Sequence, residues 1–185
     1  MNYDAAAAKL RVEVALIRAV SEVESSGTGF LDSHRPKILF ERHCFYRALK
    51  AKGMDADGFA KHMPDICNPV AGGYEGGAHE YDRLELAASI DHAAAYESAS
   101  WGAFQIMGYH WRALGYTSLD DYVQEMHESE EAQLDAFVRF VLVTPSLVKA
   151  LRAKDFASFA AGYNGPAYRK FSYDTKMAAA YGKYK

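Results

Sequence analysis

Glu24 is the residue whose position first invites chemistry. On a helical wheel at about 100° per residue, Val12–Glu24 gathers Val12, Leu16, Ala19, Val20 and Val23 into one apolar stripe bordered by Ile17. Arg18 and Glu22 fall on the opposite side, spaced so that they can pair in water. Glu24 lies in angle between Val20 and Ile17, at the margin of the stripe. It also sits in the last turn, where unpaired carbonyls form the negative end of the helix dipole. Partial burial and that dipole both disfavour the charged form of a carboxylate, so the spacing predicts a raised pKa. A carboxyl still protonated near neutral pH is what a general acid needs to protonate a glycosidic oxygen. The position equally suits a Glu that caps local N–H groups or pairs with a distant cation, and spacing alone leaves both readings open.

Glycoside cleavage usually takes two carboxylates, one acid and one base or nucleophile. Asp32 follows in a loop, and Glu41 stands at the end of a short strand. Glu41 is the favoured second carboxylate, because it alternates oddly with Ile38 and Phe40 for a surface group and has Arg42 and His43 beside it to tune it. A purely structural pairing of Glu41 stays open, and Asp32 is explained more simply as a loop-capping residue. Other chemistries lack their residues. The seven histidines are scattered without an HExxH pattern, there is no CxxC, and neither GxSxG nor a phosphate-binding glycine loop occurs. Cys44 follows His43, but adjacent side chains are expected to point apart, which favours a buried thiol over a Cys–His dyad. No metal or cofactor is expected.

The elements that must position these groups are mostly helical. Asp4 is placed to cap an alanine-rich helix to about Leu10, and a second helix runs from Val12 to Glu24, stopped by Ser25-Ser26-Gly27. Thr28–Arg35 reads as a loop, residues 36–41 as a small strand, and Cys44–Lys52 as a helix. Gly53–Glu80, with six glycines and two prolines, reads as mostly irregular. A helix is expected from Asp82 to about Ala95, and a short one around Trp101–Gln105 with Ser100 as its N-cap. Ser118 with Asp121, Thr144-Pro145 and Asp155 each start a further helix. The expected class is mainly α with one small β element, in a single domain spanning 1–185, since no linker or repeat interrupts it.

Composition agrees. The 185 residues are 50% hydrophobic and 24% charged, with a net charge of −3, which excludes disordered, collagen-like and strongly cationic nucleic-acid-binding classes. Two cysteines are too few for a disulfide scaffold. No apolar stretch is long enough to span a membrane, and the N-terminus lacks the basic and greasy regions of a signal peptide. Leu119–Asp135 carries seven acidic residues and no Lys or Arg. From Lys149 onward eight cations (Lys149, Arg152, Lys154, Arg169, Lys170, Lys176, Lys183 and Lys185) face only Asp155 and Asp174. That stretch suits an anionic wall or outer-membrane surface, or is one of two oppositely charged solvated faces.

Three groups of residues carry a resemblance. Val23-Glu24-Ser25-Ser26-Gly27, Gly29-Phe30 and Arg35-Pro-Lys-Ile-Leu-Phe-Glu41-Arg42-His43 resemble the phage endolysin family of peptidoglycan N-acetylmuramidases. Ser100-Trp-Gly-Ala-Phe-Gln105 resembles the Ser-x-Gly-x-x-Gln segment of goose-type lysozymes and lytic transglycosylases, and Gly162-Tyr163-Asn164-Gly165 their Tyr-Asn-x-Gly segment. Each motif alone is weak, but the ordered set runs from Val12 to Tyr168. The resemblance implies a lysozyme-like, α-rich fold around a cleft, cutting the β-1,4 bond between N-acetylmuramic acid and N-acetylglucosamine. It implies Glu24 as the catalytic acid, Glu41 as a second acidic position, and Ser100, Gln105, Tyr163 and Asn164 near the sugar. By their own chemistry, Gln105 suits an acetamido group or water, Ser100 needs only its capping role, Asn164 suits a turn, and Tyr163 suits stacking on a sugar or packing. A monomer is expected, without the wall-binding module some relatives carry, made in the host cytoplasm and released through a holin. The rival readings are a lytic transglycosylase leaving 1,6-anhydro ends and a non-catalytic peptidoglycan-binding protein.

Overall fold

Chain order in the computed structural model, which describes residues 1–25 and 27–185, begins with two helices, α1 (Tyr3–Leu10) and α2 (Val14–Glu24). Asn2 rather than Asp4 caps α1, its side-chain oxygen accepting from the Ala5 N–H at 3.0 Å. Asp4 instead lies in the first turn, where its charge suits the dipole. α2 starts at Val14, two residues later than its apolar pattern suggests, with Glu13 in the cap position. The stop read at Ser25-Ser26-Gly27 involves Ser26, which lies outside the described residues.

Next come β1 (Ile38–Phe40), α3 (Arg42–Ala51), α4 (Ala56–His62), α5 (His79–Ala88), α6 (His92–Glu97), β2 (Ala99–Trp101), β3 (Ile106–Met107) and α7 (Leu119–Glu128). The chain closes with α8 (Glu130–Leu142), α9 (Pro145–Arg152), α10 (Phe156–Asn164), a 3-10 segment at Pro166–Phe171, and α11 (Tyr173–Tyr184). The mainly helical class with one small sheet is as expected. Among the described residues no helix is long and apolar enough to cross a membrane.

Contacts divide the chain into two compact units, Met1–Gly29 with Ser129–Lys185, and Phe30–Glu128. In the first, α2 buries Leu16, Ile17, Ala19 and Val20 completely or nearly so. Ile17 is thus central to the stripe rather than its border, and each such aliphatic side chain contributes about 1.5–3 kcal/mol. α8 supplies Leu134, Phe137, Val138 and Val141 to this core. Two starts follow the sequence closely: Pro145 opens α9, and Asp155 caps α10 by accepting from Ser158 N–H at 3.0 Å, while α8 is capped by Ser129. α11 lies along α2, where Lys183 pairs with Glu22 at 2.8 Å and Tyr184 also donates to it. Glu22 therefore does not pair with Arg18, whose guanidinium lies over the rings of Tyr3 and Tyr184.

The second unit carries the antiparallel sheet β1-β2-β3, with Leu39 opposite Ser100 and Ser100 opposite Met107. Its core holds Phe40, Phe45, Leu49, Trp101 and Tyr122, each fully buried or nearly so. Three expectations fail here. Ser100 lies in a strand and caps no helix, because Gly102 and Gln105 adopt left-handed backbone (φ 73° and 50°), which turns the chain into a hairpin. The helix expected over Asp82–Ala95 is two helices. Asp91 ends the first run by accepting from Ala94 N–H at 2.8 Å, capping the second. The glycine-rich segment contains α4, started by Asp55, which accepts from Gly58 N–H at 2.9 Å.

Candidate active site

Of the residues singled out from the sequence, Glu24, Tyr163 and Asn164 belong to the first unit, and Asp32, Glu41, Ser100 and Gln105 to the second. In the first, Glu24 is the last residue of α2 and Asn164 the last of α10. The Asn164 amide Nδ2 donates to Glu24 Oε2 at 2.8 Å. Glu24 Oε1 and Asn164 Oδ1 are both buried without a hydrogen-bond partner, and no cation pairs with the carboxyl among the described residues. Burial pushes the Glu24 carboxyl up to about 7, and the Asn164 hydrogen bond only partly opposes it. Burial first, and then the nearby Glu24 charge, also raises the hydroxyl of Tyr173. Tyr163 packs: its ring stacks on Phe159 (5.7 Å, 9°) and meets Phe137 and Phe140 edge-on.

In the second unit Glu41 sits at the N-cap position of α3, its own N–H donating to Ser98 O at 2.9 Å. The Tyr74 hydroxyl donates to both carboxylate oxygens, at 3.0 and 2.9 Å. His43 Nδ1 stands 3.2 Å from Glu41 Oε2. Arg42 does not tune this carboxylate; its guanidinium reaches the carbonyls of Val70 and Pro64. Contrary to expectation, His43 and Cys44 approach each other, Nε2 to Sγ at 3.6 Å, because both lie in the first turn of α3. Burial still raises the Cys44 thiol despite the Arg47 hydrogen bond, so it remains a protonated thiol at neutral pH and a poor nucleophile.

Gln105 spends its amide on its own hairpin. Oε1 accepts from the Ser100 hydroxyl at 2.7 Å and Nε2 donates to Gly102 O at 2.9 Å. Asp32 is exposed in a turn closed by His34 N–H donating to Leu31 O at 2.9 Å.

The family model for N-acetylmuramidase matches residues 13–185. The chain belongs to the N-acetylmuramidase family. Among solved structures this muramidase is similar to the Burkholderia AP3 phage endolysin, at 50% identity and a TM-score of 0.94, over 98% of this chain and 69% of that one. No relative was found among the curated proteins. The muramidase is accordingly a glycoside hydrolase whose substrate is peptidoglycan.

Sequence reasoning passed over two residues of the muramidase. Glu80, fully buried, pairs with Arg83 at 2.6 Å and accepts from the N–H groups of Phe40, Glu75 and Gly76. Burial alone would raise its carboxyl, but those three N–H donors and Arg83 hold it below the ordinary range. The Glu80/Arg83 spacing of three on a helix was its sequence signal. Tyr74, between two glycine pairs, gave none.

Proposed function

We propose that Glu24 is the general acid of a peptidoglycan-cleaving endolysin. As the β-1,4 bond between N-acetylmuramic acid and N-acetylglucosamine breaks, the Glu24 proton passes to the leaving glycosidic oxygen. Positive charge develops at the anomeric carbon of the muramic acid, and a water supplies the new hydroxyl there, its other proton restoring the Glu24 acid. One observation carries the assignment: a buried carboxyl, pushed up to about 7, with one oxygen held by Asn164 and the other without a partner. At neutral pH about half of such a group is still the acid that protonates a leaving group. Glu41, held by the Tyr74 hydroxyl and with His43 Nδ1 3.2 Å away, is the second carboxylate, stabilising the developing charge or orienting the water. Asp32, exposed in its turn, fits that role less well.

Purified protein carrying Glu24→Gln should clear a suspension of purified peptidoglycan at least about a hundredfold more slowly, with a melting temperature no lower than that of the wild type. Unchanged clearing removes the acid assignment. Mass spectra of the digest should show reducing muramic ends; 1,6-anhydro ends would make the chain a transglycosylase.

In the phage setting the enzyme is made in the host cytoplasm and reaches the wall through a holin lesion, as a monomer acting on glycan strands. Attraction of its basic C-terminal stretch to an anionic surface is weakened by pairing of Lys154 with Glu13 and Lys183 with Glu22. Wall binding should fall only modestly between 50 and 300 mM salt, concentrations chosen to bracket a Debye length of about 10 Å.

A further inference from the structure

Tyr74 sits in a glycine-rich strap that is tied down on both sides. Before it, Arg42 Nε donates to Val70 O at 3.0 Å and Arg42 Nη1 to Pro64 O at 3.1 Å. After it, Glu80 Oε1 accepts from the N–H groups of Glu75 at 2.7 Å and Gly76 at 2.9 Å. Between the ties Gly73 has φ 75°, a left-handed backbone that favours glycine, and a Cβ there would lie 2.6 Å from Arg42 Nη1 and push the guanidinium aside. The buried Glu80–Arg83 pair and the Arg42 fork thus fix a segment whose one side chain at that point, Tyr74, is itself 46% exposed. Its ring adds little to the core. What it does make is a hydrogen bond to each oxygen of Glu41.

We propose that Tyr74 is a positioning residue of this muramidase, its hydroxyl fixing the plane and rotamer of the Glu41 carboxylate, and that the doubly tied strap serves to present it. A donor shared between both oxygens resists rotation about the last side-chain bond, which a contact to one oxygen would not. The phenol stays a donor throughout the working range, since burial and then Glu41 push its pKa to about 12. His43, the other group against the carboxylate, touches only Oε2. The inference rests on the reading of Glu41 as the second carboxylate.

The test compares wild type, Tyr74→Phe, Glu41→Gln, the double variant and Glu24→Gln on purified peptidoglycan. Tyr74→Phe should lower apparent kcat about tenfold, leave apparent KM within about twofold and leave the melting temperature unchanged. In the Glu41→Gln background the same substitution should have no further effect. A Tyr74→Phe enzyme at full rate, one altered only in KM, one that also loses melting temperature, or an additive loss in the double variant overturns the proposal. If Glu41→Gln is fully active while Glu24→Gln is dead, the reading of Glu41 falls and Tyr74 falls with it. A slow Glu41→Gln beside a fast Tyr74→Phe removes Tyr74 alone.

Discussion

The Asn164 amide donates to one oxygen of the Glu24 carboxyl at 2.8 Å and leaves the other unpartnered. In a neutral carboxylic acid only one oxygen carries the proton, and the better acceptor is the other. An N–H fixed on Oε2 therefore keeps the acidic proton on Oε1, the buried atom with nothing to give it to. Asn164 contributes an opposing effect as well, since its hydrogen bond favours the charged form and restrains the rise caused by burial. The side chain thus orients the proton and trims its pKa toward neutrality.

Glu24 should cost the fold stability as pH rises. Its folded pKa of about 7 exceeds the ordinary 4.5, so the native state binds more protons than the unfolded chain between those values, and stability falls across that window by about 3 kcal/mol. Glu24→Gln removes the titration. Melting curves of the two proteins should lie close together near pH 4.5 and separate progressively to pH 8, with the variant the more stable. A gap that is constant with pH would contradict this.

Asn164→Ala removes the group that lowers the Glu24 pKa while leaving the burial that raises it. The alkaline limb of the pH–rate profile, set near pH 7 by loss of the acid's proton, should move upward in the variant. The maximum rate should fall about tenfold as the orientation of the proton is lost. Clearing rates measured from pH 5 to 9 decide it; a limb that stays in place separates Asn164 from the titration.

Removing one partner of a buried ion pair strands the other. Glu80→Ala leaves Arg83 and three backbone N–H groups without their acceptor, and should cost about 3–5 kcal/mol in denaturant unfolding. The wild-type pair has its own pH signature. A carboxyl held below 4.5 contributes stability above that value and loses it as pH falls through the folded pKa, so acid should weaken the wild type more than the variant.

How far the sequence reveals this molecule depends on whether a position is fixed locally. Glu24 was legible because an angle on a helical wheel is a local property, and the helix ends where its apolar pattern ends. The helix starts at Ser118, Pro145 and Asp155 were legible for the same reason. Asn164 was found through a motif, since nothing within α10 says that its last side chain meets the end of α2. Glu80 stayed hidden because its donors lie in β1 and in a glycine run, and no periodicity reports a carboxylate that gathers N–H groups from two segments. The hairpin at Ser100–Met107 was misread because an apolar run of that length fits strand and helix alike. The left-handed backbone at Gly102 and Gln105 settles it in favour of the strand pair.

Gln105 separates a structural from a substrate-binding role most cleanly. Its amide accepts from Ser100 at 2.7 Å and donates to Gly102 O at 2.9 Å, so the group that the motif suggested for a sugar is engaged inside its own turn. Gln105→Ala forfeits both contacts, at about 0.5–1.5 kcal/mol each, and leaves the Ser100 hydroxyl without that acceptor. Ser100→Ala removes one of the two and should cost about half as much. If the turn is the purpose of these residues, both variants lose melting temperature in that order while apparent KM for peptidoglycan moves less than about twofold. A Gln105→Ala protein with full thermal stability and a much raised KM would return the amide to the sugar, and would require that the turn stand without it.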